Sequence, residues 1–285
     1  MSRTQVSERI GLIAGTGELP LAMARAARRE GRAVVGVAIV DLADPALEGE
    51  LAECRWLHLG ELGTLVDFFR GLGVRELVMA GKVPKTILYG DPRRLRPDAT
   101  ALDLLGRLRD RKDDSILGAV AHLLEAEGFR LLAQTAVAPE LVAPRGPLGS
   151  RAPTPEQWEE IRFAWPVARA LGRLDVGQSV VVRHRAVMAL EAIEGTDDAI
   201  RRGGALGGPG CCVVKVAKPG QDPRFDVPTV GQRTLATLAE VGGALLAVEA
   251  GATLVLGRAA LAAAADAAGV AVLGVAPEDV GEAGS

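Results

Sequence analysis

The chain has 285 residues, a formal net charge of −3 and 48% apolar residues, which is enough length and apolar content to bury two ordinary cores. Its slightly negative charge and nine aromatic residues (three Trp, one Tyr, five Phe) supply neither a basic field for a phosphate backbone nor platforms for base stacking, which excludes nucleic acid as a partner. Three cysteines, two of them adjacent at Cys211 and Cys212, make neither a disulfide framework nor a spaced zinc site.

No apolar run approaches the ~20 residues that span a bilayer. The polar start, Met1 to Glu8, lacks the charged-then-apolar pattern of a secretory signal, so the expected location is the cytoplasm.

From Arg9 the chain reads as strand (Ile10 to Ala14), helix (Glu18 to Glu30), strand (Ala33 to Val40), short helix (Pro45 to Cys54), strand (Arg55 to Leu59), helix (Leu62 to Gly71) and strand (Glu76 to Ala80). This alternation predicts a parallel, doubly wound, Rossmann-like sheet. Helices over Ala99 to Arg109 and Asp113 to Glu127 follow, with Gly128 as a stop. Between Ala138 and Pro155 five prolines and two glycines interrupt regular structure and predict a linker.

The second half opens with a helix from Glu156 to Leu171, whose apolar face carries Trp158, Ile161, Phe163 and Trp165. A hairpin (Gln178 to Val182, Ala186 to Glu191), a strand (Val213 to Val216), a helix (Gln232 to Val241) and strand–helix–strand segments to Val275 complete a second α/β domain. Gly203 to Gly210 reads as a glycine-rich turn. The expected organisation is therefore an N-terminal domain over 1–137, a linker over 138–155 and a C-terminal catalytic domain over 156–285.

Five segments carry chemistry. Gly11 to Pro20 places Gly15, Thr16 and Gly17 between a first strand and a helix, where free amides suit a phosphate. A tight turn alone is the alternative, and Pro20 stands where a dinucleotide fingerprint has its third glycine. Gly81 and Lys82 follow the strand Glu76 to Ala80 at the carboxyl edge where open α/β sheets bind ligands.

Asp113 and Asp114 form an acidic pair that can share Mg²⁺ or simply cap a helix. Glu191 to Asp198 delivers Thr196 and Asp197 to a helix start, for capping or for phosphate beside a metal-binding carboxylate. The richest segment is Lys215 to Gly231, where Lys215, Lys218, Gln221, Arg224, Asp226 and Thr229 converge on a proline-stiffened loop. The chain holds only five lysines (Lys82, Lys85, Lys112, Lys215, Lys218), all in loop-like segments. His58, His122 and His184 lack metal spacing and are read as structural, and Glu125 and Glu127 as solvated.

The glycine turn Gly11 to Pro20, the run Gly172-Arg-Leu-Asp175-x-Gly-Gln178, Glu194-Gly-Thr-Asp197 and the Lys218 to Gly231 loop resemble those of LpxI-type UDP-2,3-diacylglucosamine pyrophosphatases, in order along almost the whole chain. The resemblance implies Mg²⁺-dependent hydrolysis of UDP-2,3-diacylglucosamine, a glycolipid nucleotide, to UMP and 2,3-diacylglucosamine 1-phosphate (lipid X) in lipid A biosynthesis. Water is then expected to attack the sugar-side phosphorus, with the ligand between two domains. The family's essential aspartate falls on Asp226.

On this reading Asp226 binds Mg²⁺ or orients water, with Asp197, Asp113 and Asp114 as further metal candidates. Lys215, Lys218, Gln221, Arg224, Thr196 and Thr229 contact substrate with Gly15, Thr16, Gly17, Gly81 and Lys82. A homodimer and a passing contact with the inner membrane face are expected partners. The alternatives are an NAD(P)-dependent oxidoreductase, on Gly15, Gly17 and Asp41, and a binding protein for nucleotide sugars or lipid phosphates that does no chemistry.

Overall fold

The computed structural model describes residues 9–83, 95–108 and 113–282, with side chains from residue 116 onward in the last stretch. The chain divides into two compact units. The first runs to Ala138 and takes in Pro223–Phe225; the second comprises Pro139–Asp222 and Asp226 onward.

The first unit is built on a sheet of β1 (Arg9–Ala14), β2 (Ala33–Ile39), β3 (Glu53–Leu57), β4 (Glu76–Ala80) and β5 (Arg130–Leu131). The order is β3-β2-β1-β4-β5 and every pairing is parallel. Because right-handed crossovers cover both faces of such a sheet, its inner strands read as nearly unbroken apolar runs: β4 is buried along its whole length. Helices α1 (Leu19–Arg29), α2 (Leu62–Gly71), α3 (Ala99–Arg107) and α4 (Asp113–Ala126) flank it, with a short α5 (Gln134–Val137).

Phe69 is fully buried beneath the sheet and meets the edge of Phe129 at a 74° interplanar angle. Asp98 binds two helix starts. One carboxylate oxygen accepts from the Ala101 amide at 2.9 Å and the other from the Gly63 amide at 2.6 Å, so a single side chain caps α3 and holds the first turn of α2. Expected as part of a helix to Cys54, Pro45–Gly49 closes instead into a 3-10 turn capped by Asp44, and β3 begins at Glu53.

The second unit has six strands in the order β6-β13-β11-β9-β7-β8: β6 (Gly146–Pro147), β7 (Ser179–Arg183), β8 (Ala186–Leu190), β9 (Cys212–Lys215), β11 (Leu245–Glu249) and β13 (Ala271–Val275). Strands β9, β11 and β13 run parallel, whereas β7, β8 and β6 run antiparallel to their neighbours. A small parallel pair, β10 (Thr229–Val230) with β12 (Leu254–Val255), lies outside that sheet.

The helices are α6 (Pro155–Arg173), α7 (Thr196–Gly207), α8 (Gln232–Glu240) and α9 (Arg258–Ala268). Helix α6 starts in a capping box in which Thr154 and Gln157 exchange side-chain-to-amide bonds of 3.3 and 2.9 Å. Its Ile161 and Trp165 are fully buried against Val180, Val214 and Leu273.

Two expectations change. Residues 139–155, read as a linker, count with the second unit, because β6 pairs with β13 at the sheet edge, the one place where Pro147 removes no ladder bond. Gly203 and Gly204, read as a turn, lie inside α7 and are buried. A Cβ on Gly203 would come 2.6 Å from Val181, and one on Gly204 2.3 Å from Val241; glycine lets the helix approach β7 and the end of α8. Its low helix propensity made this stretch resemble a turn.

Candidate active site

In the first unit the ends of β1 and β4 are tied together by backbone. The Gly15 amide donates to the Ala80 carbonyl at 2.8 Å, while Thr16 and Lys82 exchange amide–carbonyl bonds of 2.9 and 3.0 Å. A Cβ on Gly15 would lie 2.6 Å from the Lys82 carbonyl oxygen, and one on Gly81 2.7 Å from that of Thr16. Both glycines are therefore required by main-chain contact. Gly81 also has φ +89°, and Gly17, at φ +100°, meets nothing within 4 Å. Residues Gly15, Thr16, Gly81 and Lys82 thus form one corner where β1 separates neighbours on either side, the usual ligand edge of such sheets.

In the second unit the carboxyl ends of β9 and β11 and the nearby end of β8 carry buried charge. Lys215, at the end of β9, is 4% exposed; its ammonium donates to Thr196 Oγ1 at 2.9 Å and to the Thr229 carbonyl at 3.2 Å. The Thr196 hydroxyl donates in turn to Glu191 Oε1 at 2.8 Å. Burial by itself would raise the Glu191 carboxyl, but the Lys215 charge and the hydrogen bonds from its neighbours outweigh it and hold the group below its ordinary value. Lys215 joins Thr196 and Thr229, and Glu191, at the head of the segment that carries Thr196, accepts from the Thr196 hydroxyl.

The next turn of chain presents a second cluster. The Lys218 ammonium donates to Asp175 Oδ1 at 2.8 Å and lies 3.7 Å from Asp226 Oδ2. Asp226 is anchored by its amide on the Asp222 carbonyl at 3.1 Å, and Gln221 Oε1 accepts from the Lys218 amide at 2.9 Å. The Gln221 Nε2 is buried and has no hydrogen-bond partner among the described residues, leaving a donor unsatisfied there. Asp175 lies just past the end of α6, and its left-handed backbone (φ 53°) accompanies a carboxylate that meets Lys218.

Other expected site residues go elsewhere. Arg224 pairs with Glu125, and Glu127 with Arg70 at 2.5 Å; both carboxylates are exposed, as expected, and in addition make ion pairs. Asp197 binds Arg233 at 2.8 Å. The side chains of Asp113 and Asp114, with Lys85 and Lys112, lie outside the described residues. Cys211 and Cys212 are buried; burial pushes the Cys212 thiol up to about 12, which leaves it inert as a nucleophile.

Among the described residues no three His, Cys, Asp or Glu side chains gather as a metal cage. The donor set around Lys218 nevertheless fits a hard cation. Two partly exposed carboxylates meet one ammonium, and Mg²⁺ is commonly held by one or two carboxylates together with substrate phosphates and water. No described helix is long and apolar enough to cross a membrane.

Comparison with known proteins gives this geometry its family. Residues 9–141 match the LpxI N-terminal domain and 144–273 the LpxI C-terminal domain. The chain is 38% identical over 283 residues to the UDP-2,3-diacylglucosamine pyrophosphatase LpxI of Caulobacter vibrioides, covering 95% of this chain and 99% of that protein.

Two solved structures that the chain matches are distant likenesses. A leucoanthocyanidin reductase–NADPH complex from Vitis vinifera matches at 17% identity and TM-score 0.27, over 42% of this chain and 47% of that one. A GalE-like L-threonine dehydrogenase from Cupriavidus necator matches at 11% and 0.30, over 96% and 100%. Neither carries an argument about this chain. Matched by both domain models and by a relative over nearly its whole length, the chain belongs to the LpxI family.

Proposed function

We propose that this enzyme hydrolyses UDP-2,3-diacylglucosamine to UMP and 2,3-diacylglucosamine 1-phosphate, and that it does so with Mg²⁺ at the Asp226 cluster. The reading rests on the family relationship and on one local observation: Asp226, Lys218 and Asp175 converge beside the unpartnered Gln221 Nε2. Such a set offers a carboxylate for water or a cation, an ammonium for phosphate oxygens and a donor for one oxygen more.

In this proposal a water oxygen bonds to the sugar-side phosphorus and the bond from that phosphorus to the bridging oxygen breaks. The bridging oxygen leaves with UMP. Asp226 orients the water and takes up its proton, while Lys218 and Gln221 Nε2 hold the equatorial oxygens as their charge grows. Mg²⁺ would be held at the Asp226 cluster, with Asp197, Asp113 and Asp114 as further candidate ligands, and would supply charge neutralisation at the diphosphate. Lys215 and Thr196 fix the end of the loop through Thr229, and Gly15, Thr16, Gly17, Gly81 and Lys82 are further candidate substrate contacts. The reaction is assigned to the cytoplasm, with a dimeric enzyme meeting the inner membrane face only in passing.

The test is release of UMP from UDP-2,3-diacylglucosamine, followed by phosphorus NMR with and without EDTA. Turnover should stop on chelation and return with Mg²⁺, and Asp226→Asn should lower kcat by about 10²–10³-fold or more while ligand still binds. Binding of lipid X without UMP release would instead make the chain a binding protein. Undiminished turnover by Asp226→Asn would remove the assignment of that residue.

A further inference from the structure

We propose that Arg169 and Glu249 are positioning residues that act through Ala217 to set Lys218 against Asp226. The inference rests on the reading of the Asp226 cluster given above, and neither residue belongs to that cluster.

Glu249 ends β11 and is 7% exposed. Its Oε1 accepts from Arg169 Nη2 at 2.7 Å, and its Oε2 accepts from Arg169 Nη1 at 3.0 Å, a two-point fork. The same two side chains also take both backbone groups of Ala217. Glu249 Oε2 accepts the Ala217 amide at 2.7 Å and Arg169 Nη1 donates to the Ala217 carbonyl at 3.0 Å. The residue immediately before Lys218 is therefore held by both its amide and its carbonyl on one largely buried ion pair.

The arginine is itself fixed. Its guanidinium lies 5.3 Å from the Trp165 ring centroid, and Glu282 bridges it to the indole, accepting from Arg169 Nε at 3.2 Å and from Trp165 Nε1 at 2.6 Å. Gly172, three residues on and so on the same face of α6, lets that face approach the loop. A Cβ there would lie 3.2 Å from Lys218 Cα and from Pro219 Cδ.

Just past the end of α6, Asp175 takes the Lys218 ammonium. One helix thus holds the residue before Lys218 by its backbone, the loop by close contact and the lysine by its charge. A buried ion pair adds little net stability over apolar residues of the same volume, and the value of this one lies in placing the loop.

Removing one partner would leave a buried charge, so the test uses the double variant Arg169→Met/Glu249→Leu, which keeps the volume apolar. The expected result has three parts. The melting temperature stays within a few degrees of the parent. Amide exchange of residues 217–222 accelerates at least tenfold without change in β9 and β11, and kcat on UDP-2,3-diacylglucosamine falls at least tenfold with KM within threefold. Adding Lys218→Ala should then lower kcat by less than it does in the parent, since the clamp acts through that lysine.

A folded double variant with parental kcat, or with unchanged exchange at 217–222, overturns the proposal. So does faster exchange spread over the whole second sheet, which would mark a structural role alone. Asp226→Asn is assayed alongside: parental turnover there sinks the reading of the site, while the exchange result still reports on the clamp.

Discussion

The two units end their central parallel strands in opposite ways. In the first, β1 and β4 finish in a corner closed by main chain, where Gly15 and Gly81 exist because the backbones of Thr16 and Lys82 come close. In the second, β9 and β11 finish in ionisable side chains, Lys215 and Glu249, both buried and both committed to partners. A corner made of backbone tolerates almost any side chain and can serve as a platform for a ligand. Buried charges are costly to keep and are retained where they place something. The contrast teaches that a glycine pattern and a charge pattern at the same kind of edge report different things, the first packing and the second positioning.

The largest expected effect that sharpens this contrast is on stability. Lys215→Met should leave Glu191 buried without its cation and cost about 3–5 kcal/mol in urea unfolding. A loss under about 1 kcal/mol would mean that water or another donor takes the lysine's place.

The same carboxylate sets a pH signature. Because Glu191 titrates below its ordinary 4.5 in the folded protein, the native state holds fewer protons than the unfolded one. Its contribution is complete above that value and is lost as the pH falls through the lower folded value. Glu191→Gln should therefore show a shallower loss of stability than the parent between neutral and acid pH; equal slopes would mean that Glu191 contributes nothing to the parent's acid sensitivity.

In the first unit Gly81→Ala should cost about 1–3 kcal/mol, since it combines φ +89° with a contact 2.7 Å from the Thr16 carbonyl oxygen. Lys82→Ala tests the same corner from the other side. Its bonds there are made by backbone, so melting should move by no more than the equivalent of about 0.5 kcal/mol, whereas KM should rise about tenfold if its ammonium holds a phosphate oxygen. A drop in melting temperature as large as that of Gly81→Ala would show that the side chain, and not the main chain, closes the corner.

The sequence is most legible where periodicity alone decides the structure. Helix α2 over Leu62–Gly71 and strand β4 over Glu76–Ala80 stand where the pattern puts them. Two-residue strands such as β5 and β6 carry too little pattern to be seen, and Gly203 and Gly204 pointed to a turn because their role depends on Val181 and Val241 across the fold.

The site divides along the same line. Lys218, Gln221 and Asp226 were readable because one short loop contains them all. Asp175, Glu191, Arg169 and Glu249 reach the loop from 43, 24, 48 and 32 residues away, measured to Lys218, Lys215 and Ala217; Asp175 and Glu191 stand in segments the sequence singles out, but nothing local marks their partners, and nothing marks Arg169 or Glu249 at all. Arg224 illustrates the converse: proximity in sequence suggested a phosphate ligand, yet its guanidinium goes to Glu125, 99 residues earlier.

Asp98 has a consequence of its own. Because one carboxylate serves as the cap of α3 and the clasp on the first turn of α2, the two helices share a single release point. Neutralising that group unfastens both at once, and Asp98→Ala should let their leading turns fray as a pair, so the loosening of one cannot be engineered without the other.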